Sequence, residues 1–534
     1  MNKVAGLTAM VLLTIAVSFF AGCGGGENDD PIGIGLSPPG RYPVLFVSNG
    51  GSFVPHTSVP YTGGMVSAPG DPTRMRYDFN GWYRDSELTD AVTFPVNVTQ
   101  SITLYAGWLP KGDEIGVIEI SSPAELYDIR YDLAGSYILT ADISLEEYGN
   151  WEPIGFMENP FTGKIDGNGY KIKDLKIDET SESIEVGLFG FVRGGVITGL
   201  ALENVDIIGG HAVGAIAGRI WHSEMTNCYS SGNIAASMSG SRYAGGIVGD
   251  VGFSTLTDCY STAEITSSSN ANLGGIAGSA SNSSITNCYS TGNIFASASD
   301  SYSYAGGIAG SASNSGITNC YSTGDVTSSH SSGSSSYAGG IAGFIVWDTE
   351  ITNCYSTGNI TASISGSAYS STNAGGIAGV VGRGTISNCY STGVIISSSS
   401  GVGANAGGIA GLFVTYGGGS GTITNCAAIN KTINAGTTSA GRIAGIDAYS
   451  DASMFTVSNN FALDAMDTAG PPFDPVYYGV SRTDAELRMQ TTYSDAIVDD
   501  GAGGLGWKFG NDDENPWQMP VGGGYPVLYR QYVH

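Results

Sequence analysis

An internal repeat constrains this chain more than anything else in it. The string Ala-Gly-Gly-Ile-Ala-Gly stands at 305–310, 338–343, 374–379 and 406–411, with variants at 212–218, 244–249 and 273–278. Each copy is followed by Ile-Thr-Asn-Cys-Tyr-Ser-Thr-Gly or a close relative, and the cysteines recur every 29 to 37 residues. A period of that length marks an array in which each repeat covers the apolar face of the next. Helical repeats share the period, so composition decides. Gly-Gly pairs, β-branched residues and Asn-rich turns oppose helix and favour short strands. The expected fold class is all-β, a right-handed parallel β-helix or β-solenoid.

Comparing copies assigns the slots. The cysteines are Cys228, Cys259, Cys288, Cys320, Cys354, Cys389 and Cys426, and the earlier degenerate copy has Leu200 there. Cysteine exchanging with leucine marks a buried position. Ser230, Ser261, Ser290, Ser322, Ser356 and Ser391, two residues on, exchange with Leu202 and Ala428 and are inward too. Strand alternation then turns Tyr229, Tyr260, Tyr289, Tyr321, Tyr355 and Tyr390 outward. Asn227, Asn287, Asn319, Asn353, Asn388 and Asn425 hold a corner, with Asp258 the exception. Coils stack about 4.8 Å apart, so an inward corner asparagine could bond its neighbours above and below. The cysteine column reads as free buried thiols, with disulfides or a metal as the alternatives. A column does not guarantee disulfide torsions, and zinc needs ligands that converge. The tyrosines read either as a binding ladder or as rings that shield each other. Segments of variable length, 235–242, 295–303, 327–336 and 361–372, are expected to emerge on one side, beside those tyrosines.

Lys3 and the apolar run from Val4 to Phe20 end in Phe20-Ala21-Gly22-Cys23. Residues 1–22 read as a lipoprotein signal peptide with lipidation at Cys23, and an uncleaved membrane anchor is the other reading. Residues 23–40 read as a flexible tether. Residues 41–110 follow as a small β module containing SNGGS, FNGWYRDSELTDA and ITLYAGW. These strings resemble the Listeria–Bacteroides, or internalin-type B, repeat. The resemblance implies a β-grasp-like spacer or interaction module without a catalytic role. Trp82 and Trp108 are core aromatics or ligand platforms.

Residues 186–466 resemble a GLUG-motif array, whose core stands as Gly187-Leu188-Phe189-Gly190 and later as Gly-Ile-Ala-Gly. Such arrays occur in bacterial surface adhesins and beside the catalytic domain of IgA-cleaving metallopeptidases. The resemblance implies a β-helix and a surface location. Residues 111–185 then form the N-terminal lead-in and cap. Ser122-Pro123-Ala124-Glu125 is a capping box that starts a short helix towards Tyr131. Residues 467–534 form a C-terminal cap, with 507–529 covering the far end.

A formal charge of -27 argues against nucleic acid and against docking on anionic lipid. The five histidines include no His-Glu-x-x-His. Asp250, Asp258 and Glu264 read as an acidic outer face, and 511–515 as a solvated turn or a calcium loop. The expectation is no catalytic residue, metal or cofactor. The functional expectation is an adhesin-like, lipid-anchored surface stalk that binds a glycan or protein of a host or matrix. The alternative is a carbohydrate-active β-helix enzyme, a lyase or hydrolase.

Overall fold

The computed structural model describes residues 41–49, 51–52, 54–74, 77–86, 88–110, 116–179, 184–236, 242–268, 270–298, 302–331, 334–365, 370–400, 403–414, 420–436, 439–445, 455–469, 479–494, 503–520 and 523–528. Residues 1–22, the tether and Cys23 lie outside them. The chain divides into two compact units, 1–112 and 113–534.

In the first unit β1 (Arg41–Val47), β2 (Thr57–Pro60), β3 (Gly64–Val66), β4 (Tyr77–Tyr83), β5 (Val96–Val98) and β6 (Ile102–Pro110) follow in order. The main sheet runs β2-β1-β6-β4, with the first and last strands parallel at its centre and antiparallel neighbours outside. β3 and β5 pair separately. Val44 and Phe46 alternate inward along β1 and pack with Leu104, Ala106 and Trp82. Trp82 is buried and lies edge-on to Phe46 at 5.0 Å. Trp108 meets Phe79 at 5.6 Å, and its indole N–H donates to the Ser48 carbonyl at 2.9 Å. Trp82 is therefore a core aromatic, and the half-buried Trp108 packs against that core.

The second unit is a parallel β-solenoid. One wall is a twelve-stranded sheet running from Ile118–Ile120 to Phe455–Ser458. The residues on either side of each Gly-Gly form a nine-stranded and an eight-stranded sheet. The remaining wall carries the Tyr-Ser pairs and the strand that follows each. One coil runs through Asn272–Gly274, Ala277–Ser281, Ser284–Thr286, Tyr289–Ser290 and Ile294–Ala298 before the next begins at Ser303. Equivalent residues pair in register, as in Leu256, Ile285, Ile317, Ile351 and Ile386, all fully buried. The glycines are demanded by close backbone approach. A Cβ on Gly306 would sit 1.9 Å from the Ala309 carbonyl, and one on Gly307 would sit 2.1 Å from the Gly340 carbonyl.

The corner asparagines adopt left-handed backbone, at φ 54° for Asn319, Asn353 and Asn388 and 56° for Asn287. Asn and Asp are among the few residues that visit this region readily. Asp258 shares it at φ 55°, and so does Gly199 at 62° in the degenerate copy. The expectation of neighbour bonding holds: the Asn319 amide donates to Asn287, Asn353 to Asn319 and Asn388 to Asn353, each at 3.2 Å. The expectation of an inward side chain holds unevenly: Asn319 is buried, Asn287, Asn353, Asn388 and Asn425 are half-buried, and Asn227 is exposed.

All seven repeat cysteines are fully buried and unbridged. The Cys320 thiol donates to the Thr318 carbonyl at 3.2 Å, and its backbone N–H donates to the Cys354 sulfur at 3.4 Å. Burial pushes the Cys288 and Cys354 thiols well above their ordinary range. At the N-terminal end α1 (Pro123–Asp128) continues as a single turn to Tyr131. Ser122 Oγ accepts from the Glu125 N–H at 3.3 Å, and the Glu125 carboxylate accepts from the Ser121 N–H at 2.8 Å.

Asn353→Ala should lower the melting temperature, with about 1 to 2 kcal/mol lost to left-handed strain. Asn353→Gly, which tolerates that backbone, should lose less despite breaking the same amide bonds. Equal losses in thermal melts of the two variants would show that the side-chain ladder, and not the backbone, governs the corner.

Candidate functional site

The outward tyrosines form the ladder that strand alternation demands. Successive ring centroids from Tyr229 to Tyr390 lie 4.5, 4.8, 4.8, 5.0 and 5.0 Å apart, with interplanar angles falling from 28° to 1°. Stacking at coil spacing has a chemical consequence. Each ring spends its two faces on its neighbours, and the ladder presents edges and hydroxyls rather than the flat faces that grip an apolar ligand surface.

Half of the ladder is covered. Tyr229, Tyr260 and Tyr289 are half-buried, whereas Tyr321, Tyr355 and Tyr390 are 9%, 1% and 2% exposed. Leu487, Tyr493, Leu505, Trp507, Trp517 and Leu528 of the C-terminal segment pack over them. The Tyr390 hydroxyl donates to the Pro526 carbonyl at 2.6 Å, and Trp507 Nε1 donates to the Asn425 carbonyl at 2.8 Å. Trp507 and Trp517 stack at 4.5 Å. The small Ala427, replacing a seventh tyrosine, lies within this cluster. Two expectations are thereby corrected. The C-terminal segment lies along the flank of the last coils and does not simply close their end, because the ladder is an apolar wall that needs a partner. Tyr321, Tyr355 and Tyr390 are core residues of that cover and not an accessible binding surface. Burial raises the Tyr289 phenol to about 12 and Tyr321 further.

The variable segments begin in the tyrosine wall, within Ile294–Ala298, Val326–His330 and Ile360–Ile364, and run on to the nine-stranded sheet at Ser303, Ser336 and Thr372. The aromatics beside them are Tyr302, at 52% exposure, and Tyr304 and Tyr337, which stack at 5.1 Å. The signal was present in the copies, as a tyrosine directly before Ala-Gly-Gly.

Outer side chains of the nine- and eight-stranded sheets meet across a shared flank. Asn272 donates to Ser311 Oγ at 3.0 Å, and Tyr304 meets Phe344 at 5.1 Å. In the early coils the flank holds charge. Arg219 Nη1 lies 3.0 Å from Glu185, and its Nε lies 3.0 Å from Asp250. Burial raises the Asp250 carboxyl, and Arg219 opposes that shift. Burial, with Arg219 and Arg242 nearby, lowers His211, whose ring meets Tyr243 at 5.9 Å. A cleft of about 420 Å³ at Glu185 is lined also by Glu152, Glu158 and Glu179. The grouping of Asp250 with Asp258 and Glu264 is corrected: Asp258 sits on the left-handed corner and Glu264 pairs with Asn233 in the tyrosine wall. The Asp512 carboxylate accepts from the Glu514 and Asn515 N–H groups at 3.0 and 2.8 Å, closing that turn on itself. Among the described residues no group of three or more His, Cys, Asp or Glu side chains is arranged to hold a metal ion, and no helix is long and apolar enough to cross a membrane.

The fold is a β-solenoid with GLUG repeats, and comparison with known proteins identifies those repeats in the middle of the expected array. Residues 269–294, 301–327 and 334–361 match the GLUG motif, and residues 42–107 match the Listeria-Bacteroides repeat domain. Residues 124–232 match the N-terminal region of the M26 IgA1-specific metallo-endopeptidases. A protein of Evansella cellulosilytica provisionally named a membrane protein is 38% identical over 81 residues, 15% of this chain and 11% of that one. Halomucin of Haloquadratum walsbyi is 35% identical over 130 residues, 22% of this chain and 1% of that one. The chain thus spans a small fraction of either relative. Among solved structures, a provisionally named immunoglobulin A1 protease from Bacteroides ovatus is 17% identical, with 78% of this chain and 93% of that chain covered and a TM-score of 0.32. An IgA1 protease is likewise 17% identical, with coverages of 77% and 26% and a TM-score of 0.36.

Trp517→Ala should destabilise the flank by about 3 to 5 kcal/mol and open Tyr355 and Tyr390 to acetylation by N-acetylimidazole. Unchanged labelling of those two tyrosines, mapped by mass spectrometry, would refute the cover. A second expectation concerns pH. A phenol whose folded value lies above its unfolded one gives stability that is full below pH about 10 and is lost as pH rises through the folded value. Tyrosinate absorbance should show Tyr289 titrating near 12, as the difference between the parent and Tyr289→Phe.

Proposed function

We propose that this chain is a surface-attached stalk whose flank, formed by the nine- and eight-stranded sheets, binds an external partner in the manner of an adhesin. The observation that carries this reading is the one-sided placement of the variable segments, next to Tyr302, Tyr304 and Tyr337. A solenoid holds its repeated core fixed while one edge varies, and that edge is where recognition residues are free to change. The names of the relatives support a surface setting: a membrane protein, Halomucin and the N-terminal region of IgA1-cleaving peptidases. Attachment runs through Cys23, the lipidation site that Phe20-Ala21-Gly22-Cys23 marks.

The enzymatic alternative has one observation on its side, the Glu185–Arg219–Asp250 cluster. Both carboxylates there are tied to a single guanidinium, which fills the space between them. A pair of acids working on a glycosidic bond leaves that space for substrate. Binding is therefore the stronger reading.

Two measurements test it. Cys23→Ala should move the protein from the membrane fraction to the soluble fraction, and unchanged fractionation with no lipid mass on Cys23 would end the anchoring claim. Beads coated with the mature chain should be retained on an array of matrix proteins and glycans. Tyr302→Ser with Tyr337→Ser should weaken retention, while Tyr229→Ser should not. A folded chain retained by no surface would end the stalk reading.

A further inference from the structure

The early coils of the same flank hold an aromatic arranged unlike the ladders. Trp221 stands opposite Gly252 in the parallel register. A Cβ on Gly252 would lie 2.3 Å from the Trp221 ring, so the indole lies flat over the neighbouring strand. The indole covers Gly252 and is itself half-buried. Phe253, the next residue and 45% exposed, meets the indole at 5.0 Å and 58°. His222 stacks behind Phe253 at 5.1 Å. The result is a floor with a wall, whereas the tyrosine ladder spends its ring faces on itself.

The backbone under this corner is strained. Phe253 and His222 adopt φ 50° and 51°, in a slot that Gly194, Asn282 and Asn314 fill at φ 70°, 50° and 51° and that one other ring, Trp347, shares at 51°. Glycine and asparagine are ordinary there, and a bulky ring is not. Strain of this kind gathers where a side chain is needed for something other than folding.

Polar groups stand beside the floor. Arg219 lies two residues before Trp221 on the same strand face, about 7 Å along it. Its guanidinium is held between Glu185 and Asp250, and the Arg219 and Asp250 side chains are each 15% exposed. Paired planar groups fixed by each other are preorganised to take hydroxyls.

We propose that Trp221, Phe253, Arg219 and Asp250 form a subsite for a neutral pyranoside of a glycan. The apolar C–H face of the sugar lies on the indole, Phe253 bounds it, and ring hydroxyls reach the Arg219–Asp250 pair. Local charge selects against acidic sugars: Arg193 stands opposite Trp221 in register, but two carboxylates share the Arg219 guanidinium and the cleft at Glu185 adds Glu152, Glu158 and Glu179. This inference rests on the stalk reading and supplies its ligand class.

The full mature chain is titrated with lactose, cellotriose and triacetylchitotriose, with a hyaluronan tetrasaccharide as the acidic comparator. Tryptophan fluorescence and saturation-transfer NMR are the readouts. At least one neutral sugar should bind at millimolar concentration and outcompete the acidic one. Trp221→Ala and Phe253→Asn should each weaken that binding by about tenfold or more. Phe253→Asn should at the same time raise the melting temperature, because asparagine suits the left-handed corner; a purely structural Phe253 would show the opposite. No neutral sugar bound by the folded chain, or binding unchanged in both variants, overturns the subsite. The same variants on the bead array separate the two claims. Bead retention by a parent that binds no neutral sugar keeps the stalk and removes the subsite, whereas sugar binding without bead retention keeps the subsite and removes the stalk.

Discussion

Parallel, in-register hydrogen bonding between successive coils is the constraint on which the rest of the second unit depends. Once Leu256, Ile285, Ile317 and Ile351 are aligned strand on strand, every other slot is aligned as well. Identical residues then face each other at about 4.8 Å, and only side chains that gain from meeting their own kind are comfortable there. Asparagine bridges amide to amide, cysteine fills a narrow core and passes its thiol hydrogen to a carbonyl, and tyrosine stacks. Glycine stands where two backbones come closer than a Cβ allows, as at Gly306 and Gly307.

The same alignment limits what the surface can do. A stacked ladder is cohesive and has no free ring faces, so its exposed side behaves as an apolar wall edged with hydroxyls. Tyr355 and Tyr390 are accordingly buried by Trp507 and Trp517. Under the proposed stalk reading, recognition uses places where the repeat is broken. Those places are the segments before Tyr304 and Tyr337, and the early coils where Trp221 meets Gly252 and Arg219 meets Asp250. Departures from the repeat carry the candidate function, and the repeat carries the fold.

Much of this was legible in the sequence. Cysteine exchanging with Leu200 marked the core column, and alternation then placed the tyrosines outward. The helix at Pro123–Asp128 followed from its capping box. The corner and its amide ladder were located correctly, but the left-handed backbone that selects asparagine there was not foreseen. The exchange of Gly199, Asn227 and Asp258 at one slot names the left-handed backbone directly, since those three types share little else. Two features had no local signal. The cover over Tyr390 comes from Pro526, 136 residues away and outside the repeat. The Glu185–Arg219–Asp250 cluster takes one residue from each of three coils, so no window of sequence holds it.

Pulsed electron–electron distance measurement between nitroxides on one column tests in-register stacking most directly. Thr226 is labelled with Ser387, Thr424 or Ser458, which stand five, six and seven register steps away. The account predicts distances near 24, 29 and 34 Å, rising by about 4.8 Å for each added coil. Increments near 10 Å, as for stacked helices, or distances that do not rise evenly with coil number, would contradict it.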